Sequence, residues 1–229
     1  MRVLLAVLVS LLLIAPVSAQ APEGGRNQII THGTGRVEVT PNQATVTVGI
    51  QVQRATAAEA AAEANRVADQ ILNRLQQIGV RRQEIRTSGI QLTPVYTTPR
   101  EGAPQIVGYR ASYTLTLTLS ELRQVGPAID ESVKAGANTI VGVSFGLKDV
   151  SEARKEALTA AVREAREKAD AIARAAGLQI RGVERIVEEG VDFIIPRMEQ
   201  RAVPAPSIPT PIEPGMVAVT ARVTIVFNY

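Results

Sequence analysis

Hydrophobic and polar residues alternate along this chain in two rhythms, and the switches between the rhythms mark out its elements. A period of two runs through Val46, Val48, Ile50 and Val52 against Thr45, Thr47, Gly49 and Gln51, the pattern of a half-buried strand. The stretch from Ile29 to Val39 reads as a strand before it, with Val37 and Val39 facing one way. Between them Thr40-Pro41-Asn42-Gln43 holds Pro and Asn in turn positions, so the two strands are expected to form a hairpin. The rhythm then changes to steps of three and four. Ala60, Ala64, Val67, Ile71, Leu75 and Ile78 trace one face of a long helix, with Thr56 and Glu59 as its capping box and Gly79 at its end.

Two further strands are expected over 85–96 and 108–119, the second with Leu115, Leu117 and Leu119 opposite Thr114, Thr116 and Thr118. Leu122, Val125, Ile129 and Val133 mark a shorter helix that tolerates Pro127 near its start and stops at Gly136. A strand over 139–147 leads to Asp149 and Glu152, which open the longest helix, ending at Gly177. Its apolar stripe is small: Ala153, Ala157, Ala161, Ala165, Ala169, Ile172 and Ala176. Such a face can approach a sheet closely. The opposite face carries both signs of charge, Glu164 and Lys168 among them, and reads as solvated. Strand signal returns over 183–187, and six prolines from Pro196 to Pro214 then predict a loop or extended arm. The chain closes on VAVTARVTIVFNY, with Val217, Val219, Ala221, Val223, Ile225, Phe227 and Tyr229 on one face. The order is ββα, ββα, βα, then two strands. It predicts an α+β fold of antiparallel sheets built from ββα units, with long Ala-rich helices packed on one face.

The first residues belong to a different rhythm altogether. Met1-Arg2 precedes an apolar run over 3–15 broken only by Ser10, then Pro16 and the small residues Ser18 and Ala19. This is the layout of a secretory signal peptide cut after Ala19. The run falls short of the roughly 18 residues that a span prefers, so no membrane span is expected after cleavage. The expected divisions are a signal peptide over 1–19, a polar tether over 20–28 and one domain over 29–229, with 196–214 as the Pro-rich segment. The chain of 229 residues has no Cys, which excludes a lipid-modified N-terminus and any disulfide. A periplasmic location follows as the expectation. The 25 cations nearly balance 22 anions, and 3% aromatic residues are too few for a base-stacking platform, so no nucleic-acid partner is expected.

Candidate chemistry is sparse. Nucleophilic sites of the Ser–His–Asp or Cys–His kind would all need His32, the one histidine, which has no nucleophile near it in sequence. Zinc sites of His and Cys are excluded by count. Glu188, Glu189 and Asp192 could hold a hard cation or do acid–base work, but they read more simply as an exposed acidic strand end. Gly33-Thr34-Gly35 lacks the Lys and third Gly of a phosphate loop and reads as a turn, and Thr87-Ser88-Gly89 as a bulge. No catalytic, cofactor-binding or metal-binding residue is therefore assigned.

Several segments taken together resemble one family. They are GTGRVEVTPNQATVTVGIQ (33–51), IRTSGIQLTPVY (85–96), GYRASYTLTLTL (108–119), ANTIVGVSFGLKD (137–149) and EARKEALTAAVREAREKADAIARAAG (152–177), with the leader and the terminal alternating strand. The ordered set is similar to the SIMPL-domain family, whose bacterial members include periplasmic immunogenic proteins and a periplasmic protein associated with oxidative-stress defence. The resemblance implies an exported, non-catalytic α+β protein able to self-associate, of poorly defined activity and with no catalytic residues to carry over; no cofactor is expected from the residues themselves. Self-association is expected through sheet edges, the final strand with its single charge Arg222 above all, or through the arm with Ile208 and Ile212 as anchors. Two other readings stay open. One is an outer-membrane β-barrel, suggested by the alternating C-terminal strand that ends in an aromatic residue. The other is a periplasmic hydrolase working through Glu188, Glu189 and Asp192.

Overall fold

A computed structural model describes residues 27–97, 102–194, 197–198 and 212–229. The signal peptide, the tether as far as residue 26, and the Pro-rich segment apart from 197–198 and 212–214 lie outside the described residues. Among the described residues eight strands and three α-helices follow in the order β1 (Gln28–Val39), β2 (Gln43–Arg54), α1 (Ala57–Gln77), β3 (Ile85–Tyr96), β4 (Ile106–Leu119), α2 (Val125–Lys134), β5 (Thr139–Gly146), α3 (Ser151–Ala175), β6 (Gly182–Ile194), β7 (Arg197–Met198) and β8 (Val217–Asn228). The strands form two open antiparallel sheets, one ordered β1-β8-β6 and the other β3-β4-β2-β5-β7. This is an α+β fold, and two open sheets lend no support to a closed barrel.

The larger sheet is built as the alternation predicts. Val46, Val48 and Ile50 of β2 and Leu115, Leu117 and Leu119 of β4 bury one face under α1 and α2, against Ile71, Leu75 and Ile129. The predicted capping box is present: the Thr56 side chain accepts from the Glu59 N–H, and the Glu59 carboxylate accepts from the Thr56 N–H. The strand register shifts between Thr87 and Gly89, as the bulge reading requires.

One expectation fails outright: β1 and β2 are not a hairpin. β2 pairs with β4 and β5, whereas β1 pairs along its whole length with β8, Gln28 opposite Asn228 and Val39 opposite Val217. Thr40-Pro41-Asn42-Gln43 lacks the positive-φ residues that two-residue hairpin turns favour. Asn42 is instead drawn to the end of β5, its N–H donating to the Gly146 carbonyl and its side chain accepting from the Lys148 N–H. The linker carries the chain from one sheet to the other.

The smaller sheet explains the alanine stripe. Ala153, Ala157, Ala161, Ala165, Ala169 and Ala173 are buried against Val219, Ala221, Val223, Ile225 and Phe227 of β8. The expected end of that stripe is corrected. Ile172 and Ala176 are exposed, and the spacing of four continues to Ala173, because one i±4 ridge of the helix seats along the sheet. Gly33-Thr34-Gly35 is also corrected from turn to mid-strand. A Cβ at Gly33 would lie 1.9 Å from the Ala161 carbonyl oxygen, and one at Gly35 would lie 1.9 Å from that of Ala157. Only glycine lets the helix backbone come this near. Two α3 side chains also bond backbone groups on the outer edge of β1. Glu164 accepts from the Thr34 N–H at 2.5 Å, and Lys168 Nζ donates to the His32 carbonyl at 2.9 Å. That N–H and Lys168 together hold the Glu164 carboxyl below its ordinary pKa.

β8 is the middle strand of its sheet, paired to β1 on one side and β6 on the other. The expectation that its edge is free for another chain is therefore wrong. Ala218, Thr220 and Val226, on the face away from α3, are buried as well.

Candidate functional site

The sequence singles out His32, Glu188, Glu189 and Asp192, and the register of the small sheet decides where each goes. His32 lies directly opposite Thr224 of β8, and Thr224 lies opposite Val187 of β6. The β6 register shifts between Glu188 and Gly190, where Gly190 has a φ of 115°, leaving Glu189 as the extra residue of a bulge. That extra residue separates the neighbouring carboxylates. Glu188 is directed to α3, where Arg154 donates to it at 3.1 Å. Glu189 reaches the opposite face and accepts a hydrogen bond from the Thr224 hydroxyl. Asp192 pairs with Arg222 at 2.5 Å on that same face. The structure thus joins His32 to Glu189 and splits the acidic group three ways.

The order of groups decides what they can do. Thr224 has a single hydroxyl proton, and it goes to Glu189, so the 2.7 Å contact with His32 is donated by the imidazole Nδ1–H. The three groups form a compact cluster, because the same Nδ1 also lies 3.5 Å from the Glu189 carboxylate. A nucleophilic triad instead places the imidazole between carboxylate and hydroxyl, so that the imidazole can take the hydroxyl proton. Here the hydroxyl is held by the stronger acceptor. The His32 and Glu189 side chains are also 72% and 42% exposed, so solvent screens them and desolvation supplies no activation. Among the described residues no three His, Asp or Glu side chains gather at metal-ligand spacing. Thr224 carries no signal of its own in the sequence, and Arg222 reads there only as the single charge of the last strand. Both lie on outward positions of β8, and the pairing that brings Thr224 to His32 spans 192 residues of sequence.

The Thr224 hydroxyl, followed by the nearby His32 and Arg222, holds the Glu189 carboxyl below its ordinary value of 4.5. A carboxylate whose folded pKa is lowered contributes stability above its unfolded pKa and loses it as pH falls through the folded one. Replacing Glu189 with Gln should therefore lower the melting temperature slightly at pH 7, and the two proteins should converge as pH drops below 4.5. Melting curves of both from pH 7 to pH 3 check this, and a gap that stays constant would count against the assignment.

A cleft of about 290 Å³ opens between the end of β5 and the start of β8, lined by Thr45, Ser144, Phe145, Leu147, Val150 and Val217. It has no titratable side chain among its lining residues. Among the described residues no helix is long and apolar enough to cross a membrane.

Comparison with known proteins supplies the family. The family described as SIMPL, protein of unknown function (DUF541), matches residues 29–227. The chain is similar to the 26 kDa periplasmic immunogenic protein of Brucella melitensis, 32% identical over 171 residues, covering 70% of this chain and 65% of that protein. It is similar to YggE of Escherichia coli K12, 30% identical over 177 residues and covering 74% and 71% of the two chains. YggE of Edwardsiella ictaluri is 28% identical over 163 residues, with 71% and 67% covered. The chain thus spans about two thirds of the length of these relatives. With the ordered segments, the α+β architecture and a match across both sheets, the chain belongs to the SIMPL family.

Proposed function

We propose that this chain is an exported periplasmic protein that works by binding and self-assembly rather than by catalysis, in defence of the cell envelope against oxidative or other stress. The leader over 1–19 supports export, and the Brucella relative carries the word periplasmic in its name. The chain's own chemistry-bearing residues are tied into exposed surface pairs, in an arrangement that differs from that of a nucleophilic triad. The observation that carries the assembly reading is β3, a twelve-residue strand at the edge of the large sheet with exposed apolar side chains. Sheet edges of this kind are either blunted or used.

The test is purification from an osmotic-shock fraction, with N-terminal sequencing and light scattering on the product. The expected result is an N-terminus at Gln20 and a mass that is a multiple of the single chain. An intact Met1 in the membrane fraction, or a single-chain mass at every concentration, would overturn the reading.

A further inference from the structure

Glycine weakens a strand, and in a sheet it often marks a bulge or a place where another group comes close. Gly33 and Gly35 admit the α3 backbone, and a Cβ at Gly108 would lie 2.8 Å from the Arg54 carbonyl oxygen. Gly190 has a positive φ at a bulge. Gly146, the last residue of β5, has none of these reasons. Its φ is not positive, and a Cβ there would meet nothing within 4 Å. What it lines is the cleft of about 290 Å³ between the end of β5 and the start of β8.

Two unlike sets of groups line that cleft. Gln43, Thr45 and Ser144 stand at one end of the larger sheet. Thr45 lies opposite Ser144 and Gln43 opposite Gly146, so all four share the face turned away from the core that holds Ala44 and Val46. None of the three side chains has a hydrogen-bond partner among the described residues. The other set is aliphatic: Leu147, which packs against the core of the smaller sheet, with Val150 and Val217 at the starts of α3 and β8.

We propose that this cleft binds a short aliphatic chain that ends in an uncharged hydrogen-bonding head, a hydroxyl or an amide. The body covers Leu147, Val150 and Val217. The head meets the Thr45 and Ser144 hydroxyls and the Gln43 amide, each able both to donate and to accept. A carboxylate or ammonium head would lose its hydration with no opposite charge in the lining to replace it. At the ~30 Å³ that a water takes up in the liquid, the volume holds about ten heavy atoms, the small end of ligand clefts. A side chain at position 146 would stand in that volume, which gives the glycine its purpose. Such a ligand gives the binding half of the proposed function a chemical class and rests on that half alone, since no second copy takes part.

Titration calorimetry of 1-octanol into the full exported chain tests the site, and a saturable heat is the expected result. Gly146→Leu fills the cleft and should abolish that heat while leaving the melting temperature unchanged, because the new side chain meets no packed atoms. Thr45→Val with Ser144→Ala leaves the cleft open but removes two polar partners, and should weaken binding at least about tenfold. Octanoate at neutral pH should also bind at least about tenfold more weakly than octanol, its charge being unmatched. No saturable heat, equal binding by Gly146→Leu, or octanoate binding as tightly as octanol would each overturn the proposal. If Gly146→Leu melts lower, the double variant decides, and undiminished binding by it overturns the proposal. Failure of octanol binding beside an oligomeric mass removes the cleft and leaves self-assembly standing; a single-chain mass beside octanol binding does the reverse.

Discussion

Alanine at Gly35 should cost the protein about 3 kcal/mol or more of stability, at or beyond the upper end of ordinary overpacking. The added Cβ would sit 1.9 Å from the carbonyl oxygen of Ala157 and 2.5 Å from the Ala161 nitrogen. Both are backbone atoms, so no side-chain rotation relieves the clash. The helix must lift off the sheet, and the alanine stripe from Ala153 to Ala173 loses its contacts with β8 as it does. Gly33→Ala should act alike through Ala161 and Ala165. Because the obstacle is main chain, pairing Gly35→Ala with Ala157→Gly should recover little. Gly146→Ala is the control, since a Cβ there meets nothing within 4 Å. Urea unfolding of these variants beside the unmodified protein checks this, and a loss at Gly35 below about 1 kcal/mol would mean that α3 backs away at little cost.

Phe227→Ala should lose about 3–5 kcal/mol, the usual range for a large buried ring. Phe227 is 1% exposed in the middle strand, opposite Ile29 on one side and Val183 on the other. The alanines around it are already small, so little can close over the cavity. The Arg166 guanidinium also lies 5.5 Å from the ring centre, an attraction of about 0.5–1 kcal/mol at an exposed cation. Phe227→Leu should therefore fall between the wild type and Phe227→Ala. Ile172→Ala on α3 should change stability by no more than about 0.5 kcal/mol, because its side chain lies outside the seated ridge. Equal losses at Phe227 and Ile172 would restore the stripe that the sequence spacing suggests.

Local signals specify the elements, and distant pairings specify the sites. The Thr56–Glu59 box, the leucine alternation of β4, the bulge at Ser88 and most of the alanine stripe are all set within a few residues, and each is legible in the amino-acid order alone. The partner of β1 is not, because nothing in Thr40-Pro41-Asn42-Gln43 states that the matching strand lies at the other end of the chain. The two glycines mislead for the same reason. Out of context Gly33-Thr34-Gly35 has the composition of a turn, and only the stripe on α3, far along the chain, gives these glycines a purpose. Edge and centre are also confused for the last strand. Its alternation reports which face is buried, whereas pairing runs at right angles to that face and leaves no mark on the period. His32 and Glu189 stand out by residue type, yet their link through Thr224 depends on a three-strand register and a bulge at Gly190.

The crossing of β1 to β8 sets a timetable for how the chain comes together. Residues 43–146 hold β2 to β5 with α1 and α2, a contiguous stretch able to close its own core as soon as it is made. β1 is synthesised before all of it and yet must wait, unpaired, until residue 217 and beyond have emerged. The waiting strand then pairs across a loop of nearly the whole sequence, and contacts of such long separation form slowly. A chain cut short before β8 would keep a folded half and carry a bare strand and an uncovered helix face beside it, the kind of surface on which unfinished proteins aggregate.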